Sequence, residues 1–349
     1  MVKLYFCAKL IPMSNKIIRT ICWFTTEKTP KAPVRLDEIR KKTEALGYQV
    51  QTLRIVNPSL PIRILDEIYP KENYFISAGT LDPENAHNQL NDYLKTDNLS
   101  FNVELKGAIT IDDLEVLTRI LREHPEKTFL FNYTFSNVKS TPFFPAADFD
   151  KEGYSIGLQP VDLSEGCTTL EEWFEKMQTC WTELHEMFHT DPFFLGIDSS
   201  VAPMWGGAGS LVRFINRLGY TFEQSVTTDI YLRITRFLKK FNPNPVGLCG
   251  IMFPCLEDFL LADEYDKGRF SIERNIFLSL HSGLGIDTYP VGLDEKPERI
   301  LQILQLLSGL STKYHKPLSI RLISDGKSNT GDYSCFNNQY LKEVTIRPL

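Results

Sequence analysis

With 349 residues, 42% of them hydrophobic and 23% charged, the chain has the composition of a folded globular protein and enough length to bury a large core. A net charge of −6, with no run of lysines or arginines interleaved with aromatics, leaves no electrostatic case for nucleic-acid or anionic-membrane binding. No apolar run approaches the ~20 residues of a membrane span, and Lys9 and Pro12 interrupt the short apolar stretch in residues 1–15, so a cytoplasmic protein with small-molecule partners is expected.

The chain begins with a 1–15 extension and then reads as a strand over 16–24 (KIIRTICWF). A helix over 36–47 stops at Gly47, and a second strand covers 49–56. A proline-bounded turn over 57–61 and a weaker apolar segment to residue 78 lead to a helix over 82–94, opened by Asp82 and Pro83. An apolar stretch over 99–105 follows. Asp112 or Asp113 can cap a helix bearing Leu114, Leu117, Ile120 and Leu121, ahead of a strand over 127–135. Residues 136–150, with Pro142 and Pro145 among aromatics, read as a long loop. Beyond it lie a strand over 154–161 and a helix over 169–189 whose Thr169 and Glu172 fit a capping box.

A short strand over 193–197 then runs through Asp198, Ser199 and Ser200 to Gly206, Gly207 and Gly209, where a helix bearing Leu211, Phe214, Ile215 and Leu218 begins. The remainder alternates: helix 228–241, buried strand 246–253, short helix 257–263, helix 272–280, strand 284–291, helix 296–312, strand 317–323 and a polar tail over 333–349. Alternating strands and helices predict an α/β protein with parallel strands, read as a single domain over 1–349. The seven cysteines, at 7, 22, 167, 180, 249, 255 and 335, form no CxxC pair, so neither a disulfide framework nor a structural zinc site is indicated.

Ligands of parallel α/β proteins gather where strands end and helices begin. The sequence LGID at 195–198 recurs at 284–287, so Asp198 and Asp287 can sit at equivalent strand ends, to share a proton, bind a cation or hold hydroxyls. Asp in such a place also caps its own turn. Gly206, Gly207 and Gly209 allow backbone N–H groups to approach an anion, though the spacing is not that of a P-loop. Cys255 and Glu257, after the strand over 246–253, place a thiol and a carboxylate together, but Cys-x-acid is a pattern that seven cysteines produce by chance.

His185-Glu186-Met187-Phe188-His189 matches HExxH, the helical zinc pair with Glu as general base. Its histidines fall on the flank of the packing stripe, the helix ends at once at Thr190-Asp191-Pro192, and no third histidine continues the motif. No GxSxG elbow, Walker loop or well-placed GxGxxG is present.

The ordered series KIIRTICWF, STPFFPAADF, GYSIGLQPV, GIDSSVAP, GIMFPCLED, LGIDTYPVG and KPLSIRLIS resembles the uncharacterised family known as domain of unknown function 711, or uncharacterised protein family 0210. The resemblance spans roughly residues 16–332, in a copy shortened before the STPFF stretch. It implies a ten-stranded α/β barrel similar to pyruvate formate-lyase and other glycyl radical enzymes, built from two parallel half-barrels that run antiparallel to one another. It implies no assigned reaction. The radical-storing glycine motif of those enzymes is missing: Arg217-Leu218-Gly219-Tyr220 is one residue short and mid-chain. The family's usual histidine- and glycine-bearing stretch reads TPFFPAADFD here, and the resemblance also points to an ACT-domain protein as a partner.

The reading expected from these features is a barrel that binds a small polar or anionic metabolite at strand ends. Asp198, Glu257, Asp287 and Cys255 are the catalytic candidates, and Ser199, Ser200, Gly206, Gly207 and Gly209 the ligand-binding ones. Any turnover would rest on carboxylate acid–base chemistry, with no resident metal and with the cofactor left open. The alternatives are a zinc hydrolase using His185, Glu186 and His189, and a non-catalytic regulatory or scaffold protein.

Overall fold

The structure is a computed structural model that describes residues 16–28, 31–69 and 73–349. The expected extension over 1–15, with Cys7, lies outside the described residues. Among the described residues ten strands are present: β1 (Ile17–Phe24), β2 (Gln49–Val50), β3 (Leu53–Val56), β4 (Phe75–Leu81), β5 (Leu99–Glu104), β6 (Phe131–Phe135), β7 (Gly153–Leu158), β8 (Phe194–Asp198), β9 (Gly285–Pro290) and β10 (Leu318–Ile323). Their ladder runs β8-β7-β1-β3-β4-β5-β6-β10-β9, with β2 paired to β1 just ahead of β3. β1 through β6 are mutually parallel, as are β7 with β8 and β9 with β10, and the two sets meet antiparallel at β1/β7 and β6/β10.

The regular ladder stays open between β8 and β9. Residues 245–254 span that gap by isolated parallel bridges, Ile197 to Pro245 and Val201 to Ile251 on one side, Ile251 to Gly283 and Pro254 to Asp287 on the other. The expected strand over 246–253 is therefore corrected to an irregular connector. Gly247 and Cys249 take positive φ values of 74° and 44°, which breaks the pleat a ladder needs. Counting β2 and β3 as one position, the circuit holds five positions in one direction (β1 to β6) and five in the other (β7, β8, 245–254, β9, β10).

Strand parity separates two faces. Ile21, Trp23, Leu53, Ile55, Ile76, Phe101, Val103, Phe131 and Tyr133 join the large apolar cluster with the surrounding helices, whereas Cys22, Phe24 and Val56 belong to a separate small cluster with Ala147 on the inner face. The inner face also carries polar side chains, among them Asn102, bonded by Thr134 Oγ1 at 3.0 Å. Other departures from expectation are local. The helix Ile62–Ile68 and β4 occupy the weakly patterned segment, and the first half of 127–135 is a 3₁₀ turn, Pro125–Leu130, leaving only β6 as strand.

The loop over 136–150 fills the interior of the circuit. Asn102 donates its amide to the carbonyls of Pro145 (3.0 Å) and Ala147 (3.2 Å), Arg54 donates to Pro142 O (3.3 Å), and the Phe143 ring sits where a Cβ on Gly157 would meet it at 2.8 Å. A buried loop carries backbone groups that need partners, and these inner-face side chains supply them. Among the described residues no helix is long and apolar enough to cross a membrane.

Candidate functional site

A cleft of about 900 Å³, open mouth included, lies above Phe143, Phe144 and Pro145 of the buried loop. It opens among the starts of β1, β3, β4 and β5 and the chain that follows β8 and the 245–254 connector, with β9 and β10 alongside. Its charged groups are Arg19 of β1, Arg54 of β3, Arg321 of β10, Asp287 of β9 and Glu257, and all five side chains are largely or fully buried.

Arg321 is the keystone of this cluster. Its Nε donates to Asp287 Oδ1 and its Nη2 to Glu257 Oε2, each at 2.7 Å, while its guanidinium lies 5.0 Å from the centre of the Phe129 ring. Burial works against its charge, but Asp287 and Glu257 more than offset this and hold its pKa above the ordinary value. Burial pushes the Glu257 carboxyl up, with Arg321 pulling against it. Arg19 approaches the other Glu257 oxygen only to 3.9 Å, touches the Met204 sulfur and donates to Gln51 at 3.4 Å.

Arg54 is different. It donates to Thr52 Oγ1 (3.2 Å) and Pro142 O (3.3 Å) and lies 4.9 Å and 5.9 Å from the Phe144 and Phe75 ring centres, and among the described residues no carboxylate is within ion-pairing distance of it. Burial, then Arg19, push its guanidinium down to about 9, which leaves it charged at neutral pH. Within the lining, three cations thus face two carboxylates; Asp162, outside the lining, also attracts Arg19, and Arg54 is the cation with no acid beside it.

Local backbone irregularity aims these groups. Pairing of β1 with β7 slips between Ile18 and Thr20, so Arg19 leaves the alternation and reaches the cleft although Cys22, three residues on, also faces inward. Pairing of β9 with β10 slips between Ile320 and Leu322, and Thr288 takes a positive φ of 42° beside Asp287. Bulges of this kind bend a strand and redirect a side chain.

The rim is aromatic. Tyr340, from the tail, stacks on Phe129 at 6.1 Å and on Trp205 at 6.0 Å. Trp205 holds a positive φ of 60° and is 36% exposed, with its N–H donated to Glu257 O. The tail is anchored nearby by Lys342 N to Leu256 O at 3.0 Å.

Of the sequence candidates, Glu257 and Asp287 meet in the cleft through Arg321. Asp198 lies off it, fully buried, with its carboxylate accepting from Thr141 Oγ1 (2.7 Å), Ser200 Oγ (2.6 Å) and the N–H groups of Ser200, Leu248 and Cys249. Ser200 is spent on Asp198, and Ser199 donates to Leu238 O at 3.3 Å. Cys255 sits in the apolar core with its thiol pushed up by burial, the opposite of what an activated nucleophile needs.

Gly206, Gly207 and Gly209 form a turn outside the cleft, and the amides after it are already taken. Asp258 accepts from Leu211 N (3.0 Å), Val212 N (3.5 Å) and Ser210 Oγ (2.6 Å), so the chain's own carboxylate occupies the anion position. At the HExxH stretch, His189 Nδ1 faces the carbonyls of His185 and Glu186 at 3.1 Å, and among the described residues no three His, Cys, Asp or Glu side chains are grouped to hold a metal ion.

Two predictions arise here. Asp198→Asn replaces an oxygen by a donor facing buried donors, and is expected to lower unfolding free energy by about 2–3 kcal/mol, read from the urea midpoint, with the cleft's binding properties unchanged. Burial raises Asp258 from its ordinary value of 3.8 to about 6. Its stability contribution is thus full below about 4 and is lost as pH rises through 6. The stability difference between the wild type and Asp258→Asn should therefore shift in favour of the wild type as pH falls from 7 to 4, and a flat difference would count against this assignment.

The fold and cleft define an α/β protein with an arginine-rich interior site framed by aromatics. The family model described as Uncharacterised ACR (DUF711) matches residues 122–337, and the chain belongs to that family. No curated protein matches it. The matched span contains Glu257, Asp287, Arg321 and Trp205, whereas Arg19, Arg54 and Tyr340 lie outside it.

Proposed function

We propose that the cleft binds a small organic anion, and that Arg54 is the group that recognises its charge. The observation that carries this reading is the excess buried guanidinium: three arginines face two carboxylates, and Arg54 has no acidic partner among the described residues. A buried unpaired charge costs several kcal/mol in a protein interior, and an incoming anion removes that cost. The two partnered acids then serve to orient Arg321 and to restrict the site to ligands of low charge.

Glu257 is the cleft group suited to carry a proton. Burial raises its carboxyl pKa, which is the direction a general acid–base group requires near neutral pH. Turnover at this site would therefore rest on Glu257, with Arg321 setting its charge.

Native mass spectrometry of the purified chain, with elemental analysis alongside, tests the reading. A co-purifying organic anion that is lost in Arg54→Met supports it. Stoichiometric zinc bound through His185 and His189, with no anion retained, would replace it by the zinc-hydrolase alternative.

A further inference from the structure

We infer that the ligand of the arginine cleft is a planar monocarboxylate, an aromatic or heteroaromatic acid carrying a single negative charge. This rests on the anion-binding reading and narrows it by three observations. The first is the charge balance. Among the groups that line the cleft, three guanidiniums less two carboxylates, counted with Glu257 ionised, leave one positive charge, that of Arg54, which a monocarboxylate neutralises and a phosphate dianion or dicarboxylate oversteps.

The second is what the cleft lacks as a phosphate cradle. The glycine turn at 206–209 lies outside it, and the amides of Leu211 and Val212 that such a turn would offer are held by Asp258. A guanidinium, by contrast, presents paired N–H groups that match a carboxylate edge.

The third is the disposition of rings. Phe75 and Phe144 lie against the Arg54 guanidinium, and Phe129, Tyr340 and Trp205 form a row beside Arg321, with interplanar angles of 10° and 17° along it. All five rings line the cleft that Arg54 faces, so an acid bound through its carboxylate to Arg54 has aromatic surface around its body, where offset stacking favours an aromatic ring over a puckered aliphatic one. Trp205 keeps its indole at this rim on a left-handed backbone that a bulky residue adopts only at a cost. Tyr340, supplied by the tail, is thereby assigned as a specificity-determining residue.

The test is calorimetric titration of the full chain with benzoate, 2-naphthoate, cyclohexanecarboxylate, inorganic phosphate and benzyl alcohol. Wild type, Arg54→Met and Tyr340→Leu are compared, and circular dichroism verifies the fold of each variant. The inference expects benzoate and 2-naphthoate to bind at least tenfold more tightly than cyclohexanecarboxylate or phosphate. Arg54→Met should weaken binding of both aromatic acids by about 100-fold or more, and Tyr340→Leu should erase the aromatic preference while keeping carboxylate binding. Phosphate or cyclohexanecarboxylate binding as well as benzoate, in an Arg54-dependent way, would overturn the planar monocarboxylate and leave the anion reading standing. Benzyl alcohol binding equal to benzoate, or no binding by any of the anions, would overturn both. If Tyr340→Leu leaves the ranking unchanged, the assignment of Tyr340 falls.

Discussion

Arg321→Gln is expected to lower the unfolding free energy by about 3–5 kcal/mol, the range for removing one member of a buried ionic cluster. The guanidinium satisfies two carboxylates at once, Asp287 at 2.7 Å and Glu257 at 2.7 Å, on chain segments 30 residues apart. Without it, both acids remain in the interior with Arg19 as the nearest cation to Glu257, at 3.9 Å. The loss should appear as a lower urea midpoint with an unchanged slope, because the amount of surface exposed on unfolding does not change. Neutralising the whole cluster, by Arg321→Gln with Glu257→Gln and Asp287→Asn, should recover most of the loss, since the penalty lies in the stranded charges. A single variant that loses less than about 1 kcal/mol would show that solvent in the cleft already screens the acids.

Arg54→Met is expected to act in the opposite sense on stability and in the strongest sense on binding. Methionine keeps an unbranched apolar stem in place of the arginine's, gives up the guanidinium's place over Phe75 and Phe144, and removes a buried charge that has no acid beside it. The Pro142 carbonyl loses its donor, so the net gain in stability is about 1 kcal/mol rather than the full desolvation energy of the ion. Affinity for an organic anion should fall by about 100-fold or more, equivalent to roughly 2.7 kcal/mol. Stability rising while affinity collapses is the pattern of a residue retained for a ligand. A variant that is clearly less stable than the wild type would assign Arg54 to the architecture instead, as a post that holds the buried loop through Pro142.

Part of the cleft was legible in the sequence. The repeated LGID and the Cys-x-Glu pattern directed attention to Asp287 and Glu257, which do line the cleft. The same repeat directed equal attention to Asp198, whose carboxylate instead ties β8 to the buried loop and to the turn at 247–249. Two acids with the same local sequence differ because the chain around one supplies donors from its own backbone, while the chain around the other presents only Arg321.

No motif marks the arginines, although a signal for them exists. Arg19 in KIIRTICWF, Arg54 in TLRIV and Arg321 in LSIRLIS each interrupt an apolar strand run, and a charge set in a run that must be buried is rarely tolerated unless something compensates it. Tyr340 and Trp205 carried no such signal. Their roles come from the docking of the tail against residues about 85 positions earlier and from a left-handed turn, neither of which leaves a periodic trace.

The α/β class and most element positions were readable from the chain alone, because strand and helix periodicity are local properties, whereas the two antiparallel sets of parallel strands were implied only by the family resemblance of the ordered segments. Only the tertiary structure decided that the loop over 136–150 lies inside the circuit, that the 245–254 connector spans it without a regular ladder, and that three arginines converge on two acids. Those outcomes depend on register. Slips beside Arg19 and Asp287 turn side chains through the sheet, and a slip of one residue reverses the face a side chain presents.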